Sequence, residues 1–113
     1  MVGMEKIKLP DEVYIGPYTY KVIQRDKEWF DDVEAYGNTW VHKNIINIAL
    51  VGDKATQLDT FMHECMHALW AFFHMEDKIA EEEAVSKLAT GTMLLYTQNP
   101  NILELTYEVI IGA

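Results

Sequence analysis

Eight apolar residues between Leu58 and Phe73 recur at intervals of one, three and four: Leu58, Phe61, Met62, Cys65, Met66, Leu69, Phe72 and Phe73. That spacing belongs to one side of an α-helix, because a period of 3.6 residues returns such positions to the same face. The stripe covers nearly half the circumference, so this helix is expected to be a main wall of the core. A cap at its start is provided by Thr56-Gln-Leu-Asp59, which fits a capping box, or by Asp53.

What precedes the helix reads as strands. YTYKVIQ, Tyr18 to Gln24, alternates and is rich in aromatic and β-branched residues, and Gly16-Pro17 before it marks a turn. Tyr36 to His42 and Ile45 to Leu50 form two more, joined by a two-residue turn at Lys43-Asn44, with Asn44 tolerating positive φ. In the last of these, Ile46 and Ile48 face one way and Asn47 and Ala49 the other. A second helix is expected from about Ile79 to Gln98, with Val85, Leu88, Ala89, Thr92 and Tyr96 on its inward stripe. Asn99-Pro100 breaks it. Asn101 to Ile111 then forms a short third helix capped by Asn101, or a strand, since TYEVII is β-rich. The fold class is α+β: a small antiparallel sheet of about three strands, from the N-terminal half, packed on the two longer helices and the short C-terminal one. At 113 residues, residues 1–113 are expected to form a single domain.

The net charge of −9 sets this surface against a phosphate backbone, so no nucleic-acid partner is expected. No apolar run reaches the roughly 18 residues of a membrane span, and the first ten residues lack the apolar stretch of a signal peptide. With a lone cysteine, Cys65, no internal disulfide can form, which suits a cytoplasmic setting. Acids gather at Asp31, Asp32 and Glu34, and again at Glu76, Asp77, Glu81, Glu82 and Glu83.

Within the first helix stands HECMH. His63 and His67, four apart, sit one turn above each other at the border of the apolar stripe, so both can aim a ring nitrogen at one point. Zinc takes two imidazoles in that arrangement. Glu64 is displaced by about a quarter turn, beside such an ion rather than on it, where it can act as general base toward a metal-activated water. Asp59, one turn earlier, either orients His63 or serves the cap. Cys65 lies nearly opposite His63 and is expected in the core. A third ligand is needed. His74 would lie about 10 Å beyond His67 along a continuous helix and is expected instead at the last turn, capping carbonyls. A carboxylate from the second helix is better placed. On the stripe above, Glu81 and Glu82 face inward and Glu83 outward, which puts Glu82 first and Glu81 next. His42, Tyr36, Tyr96 and Tyr107 are candidates for stabilising a developing oxyanion.

HECMHALW, a short connection and EEEAVSKLATG resemble the compact gluzincin-type zinc metallopeptidases, namely the ImmA/IrrE-like enzymes and the short HExxH proteins of bacteriophages, over about Tyr18 to Pro100. The resemblance implies a zinc ion held by His63, His67 and a glutamate of the 81–83 group, with Glu64 as catalytic base. It also implies a peptide or protein substrate pairing with the strand near Asn47 to Leu50, in a bacterial or phage-infected cytoplasm. The sequence departs from the ImmA/IrrE pattern where Ala84 is followed by Val85 and where Met93-Leu94-Leu95 has no proline. The alternative is a non-enzymatic, zinc-stabilised binding or inhibitor protein of phage type, acting on a host factor.

Overall fold

The computed structural model describes residues 6–31 and 35–112, so Asp32 and Glu34 of the first acidic cluster lie outside it. The chain runs β1 (Glu12–Ile15), β2 (Tyr18–Arg25), a 3-10 turn at Lys27–Trp29, β3 (Gly37–Trp40), β4 (Ile45–Ala49), α1 (Lys54–Phe72), α2 (Glu81–Gln98) and α3 (Pro100–Ile111). It is α+β, as its patterning predicts. The sheet has four strands rather than about three and is mixed, in the order β1-β2-β4-β3. β1 pairs antiparallel with β2 and β3 with β4, but β2 and β4 run parallel, with Lys21 opposite Ile45 and Arg25 opposite Ala49.

Gly16-Pro17 closes the β1–β2 hairpin. Ile15 pairs with Tyr18, and Gly16 takes φ +59 at the first central position, as a two-residue turn of the II′ kind requires. The second hairpin differs from expectation. β3 ends at Trp40, which pairs with Ile45, so the turn spans Val41 to Asn44. Asn44 has the expected positive φ, 54°.

One face of the sheet and the three helices enclose the core. Val13, Ile15, Ile46 and Ile48 from the sheet and Phe61, Cys65, Ala68 and Leu69 from α1 are fully buried. Asn47, between the two buried isoleucines, points the other way and is also fully buried. Its Oδ1 accepts from Arg25 Nε (2.9 Å) and its Nδ2 donates to Asn38 Oδ1 (2.8 Å), so burial leaves its amide satisfied. The Arg25 guanidinium in turn lies 4.0 Å from the Trp29 ring centre, closing that side of the sheet.

Asp53 is the cap of α1: its carboxylate accepts from the Thr56 N–H at 2.8 Å. The capping-box reading is not realised. At the other end, the His74 N–H reaches the Ala71 carbonyl and the Met75 N–H reaches that of Trp70, with His74 at φ 53. That is a Schellman ending with histidine in the left-handed position usually given to glycine. α3 is a helix, not a strand, and begins at Pro100 with Asn99 preceding it, so Asn101 lies inside the helix and is not its cap. Asn99, rather than capping α3 with its side chain, pins β1. Its amide donates to the Tyr14 and Leu95 carbonyls and accepts from the Tyr14 N–H. Among the described residues, no helix is long and apolar enough to cross a membrane.

Candidate metal centre

The central turns of α1 turn their apolar side into the core, set Glu64 against Thr39 of β3 and leave the opposite side to solvent. His63 and His67 emerge there, both exposed. Their Nε2 atoms are 3.1 Å apart, with ring centres at 4.8 Å. Two nitrogens bound to one tetrahedral zinc at about 2.0–2.1 Å would stand about 3.3 Å apart, so the pair is spaced for a shared ion. His63, Glu64 and His67 form a group able to hold a metal ion, with ligand atoms all within 4.8 Å of one another.

Glu64 differs from its neighbours in being buried, 5 % exposed. Its Oε1 accepts from Thr39 Oγ1 at 2.7 Å, and the same hydroxyl lies 3.1 Å from the Glu64 carbonyl oxygen. A hydroxyl has one proton, and the shorter, charge-assisted contact takes it. Gly37 makes room for this arrangement. A Cβ there would come within 3.0 Å of Glu64 Cγ and 3.1 Å of Oε2. Sequence reasoning missed both residues. A glycine inside an aromatic strand is a recognised sign of close approach, whereas nothing local marks Thr39.

Among the described residues β3 is an edge strand, and β4 is not. Both sides of β4 are occupied, by β2 and β3. The expected pairing of a peptide with Asn47 to Leu50 is therefore closed off. Because the Ala49 N–H bonds the Tyr36 carbonyl, the alternation of an antiparallel ladder turns the N–H and C=O of Gly37 and Thr39 away from β4, toward the open edge.

Two hollows meet at His63. One, of about 340 Å³, is lined by Tyr36, Gly37, Asp59 and Glu64 as well as His63. The other, of about 650 Å³, lies between His63, Met66, His67 and Trp70 on one side and Asp77 and Leu88 on the other. Of the four oxyanion candidates, Tyr36 lines the first hollow. His42 lines a separate groove together with His74, and Tyr107 is exposed on α3. Among the described residues His74 is outside the metal-binding group, as expected, but it lies past the end of α1 rather than in its last turn, and its backbone N–H meets the Ala71 carbonyl. Asp59 lines the hollow beside His63, and with Asp53 serving as the cap it is free of that duty.

Among the described residues none of Glu81, Glu82 and Glu83 is brought into the group, and all three are exposed; the acid that the sequence puts first, Glu82, is also turned from the buried side of its helix. The reason lies in the phase of α2. Its buried residues are Gly91 and Leu95, while Val85 is 54 % exposed and Ala89 is also exposed. With Leu88, Gly91 and Leu95 inward, Glu82 stands about 120° away from Leu88 around the helix, and Glu81 within about 20°. Glu83 is tied to Lys87 Nζ at 3.1 Å.

Cys65 is free, fully buried and not part of the metal-binding group. Burial, and secondarily the neighbouring Glu64 carboxylate, push its thiol far above the ordinary range. No family model matches the chain, and neither a curated protein nor a solved structure is significantly similar to it.

Proposed function

We propose that the protein is a zinc-dependent peptidase with Glu64 as general base. The observation that supports this reading best is the pairing of two exposed imidazoles, 3.1 Å apart, with a buried carboxylate on the next residue. His63 and His67 would hold the ion, and Glu81, on the inward line of α2, would complete the set in place of Glu82. Zinc in such a seat supplies Lewis acidity, which activates water and polarises a carbonyl.

The remaining chemistry belongs to the chain. Thr39 fixes the orientation of Glu64 through Oε1, leaving Oε2 to take a proton from the attacking water and return it to the leaving amine. The free edge of β3 holds an extended peptide by main-chain hydrogen bonds. Tyr36, which lines the hollow shared with His63 and Glu64, would donate toward the substrate carbonyl. The setting we propose is a reducing cytoplasm, in keeping with one inert, buried thiol.

Metal analysis of untagged protein, paired with turnover of an unstructured protein substrate, tests the reading. Bound zinc in both wild type and Glu64→Gln is expected, with turnover lower by about 10²–10⁴-fold in the variant. Equal turnover in the two would remove Glu64 as the base, and none in the zinc-loaded wild type would favour the non-enzymatic binding protein. Absence of zinc from the wild type would sink the metal reading itself.

A further inference from the structure

The C-terminal helix is apolar on two opposite sides. Ile102 is fully buried, and Leu105 and Val109 pack beside it against the core. On the far side Leu103, Tyr107, Ile110 and Ile111 are 55, 64, 75 and 51 % exposed. Around the helix these four fall within an arc of about 100°. Elsewhere among the described residues, the large apolar side chains more than half exposed are Val85 and Met93, both on α2. Leu103, Tyr107 and Ile111, with Glu104 and Glu108, line a shallow groove of about 510 Å³. A helix that is apolar on both faces is ordinarily covered on both.

Charge narrows what covers it. Glu104 and Glu108 form one margin of the stripe, and Pro100 to Ile111 contains no lysine or arginine. An antiparallel two-fold pairing of this helix with a second copy would set those glutamates against their counterparts, between chains of net charge −9 each. An anionic lipid surface meets the same repulsion. We propose that the outer face of α3 is a docking site for an amphipathic helix whose apolar side fits the Leu103–Tyr107–Ile111 groove and whose lysines or arginines meet Glu104 and Glu108. Such helix-in-groove recognition takes anchors at the same i, i+4 and i+7 intervals that the stripe presents. The inference is independent of the metal centre.

A fluorescein-labelled leucine–lysine amphipathic peptide and its leucine–glutamate counterpart serve as probes, read by polarisation on the full chain. The basic peptide is expected to bind, and the acidic one not. The double variant Leu103→Ser/Ile110→Ser keeps both glutamates and should lose binding about tenfold or more. Circular dichroism checks its fold, and Tyr107→Gln replaces it if the double variant does not fold. Undiminished binding to the folded variant would mean that charge alone attracts the peptide, and would overturn the proposal. So would failure of the basic peptide to bind. Sedimentation equilibrium supplies the last arm: a wild-type dimer that the serines dissociate would show that a second copy occupies the face.

Discussion

The two sides of α1 are built on opposite terms. On the core side Phe61, Cys65, Ala68 and Leu69 have no exposed surface, and each is replaceable only by something of its own volume. On the other side His63 and His67 stand in solvent, and only Glu64 is drawn in, under Gly37 and Thr39. The same helix thus separates stability from the candidate site. Damage to the first side should unfold the protein, and damage to the second should leave a folded protein that has lost its site.

The largest expected effect is on the core side. Phe61→Ala should cost about 3–5 kcal/mol, read as a shift of the urea midpoint. If the variant instead kept its stability and lost only zinc, the division would fail. Next is the metal seat. Glu81→Gln should weaken zinc binding by about 100-fold or more with little change in the urea midpoint, and Glu82→Gln should leave affinity nearly unchanged. The reverse ranking, measured by competition with a chromophoric chelator, would restore Val85 and Ala89 as the inward stripe. Gly37→Ala sits on the boundary, because its methyl meets both the Asn47 carbonyl oxygen and the Glu64 side chain at about 3 Å. It should cost about 1–3 kcal/mol and lower turnover as well, whereas a purely structural glycine would affect stability alone.

The smallest effect belongs to the cap. The Asp53 carboxyl is held below the usual carboxylate range, chiefly by the Thr56 backbone N–H. A group whose folded pKa is depressed adds stability above its unfolded pKa, and that stability is lost as pH falls through the folded value. Asp53→Asn should therefore flatten a small decline in melting temperature between neutral pH and about pH 3, which lies just under the unfolded aspartate value. A decline identical in the variant would remove Asp53 from the account.

Much of the molecule could be read in advance where the signal is local. The α1 stripe, the alternation in β2 and β4, the Gly16-Pro17 turn and the HECMH spacing each declare themselves within a few residues. β1 escaped because EVYI is four residues long, too short for alternation to register. The parallel pairing of β2 with β4 escaped because it depends on partners more than twenty residues apart. The phase of α2 was misjudged because its buried face is marked by Gly91. Glycine carries no apolar signal, yet a Cβ there would lie 3.1 Å from Phe73 Cε2. Large residues such as Val85 drew the stripe toward a side that faces solvent. The choice between Glu81 and Glu82 rests on that phase. Thr39 had no signal to give, since its importance arises only once β3 lies across Glu64.

The order β1-β2-β4-β3 divides the sheet into two ribbons, each closed by its own short turn, joined along one parallel seam between Lys21–Arg25 and Ile45–Ala49. Each ribbon can form from neighbouring residues, but the seam must wait for both. Since β3 belongs to the second ribbon, the pocket around Glu64 takes shape as that ribbon docks. The surroundings of Glu64 thus depend on a contact between residues more than twenty apart in the chain.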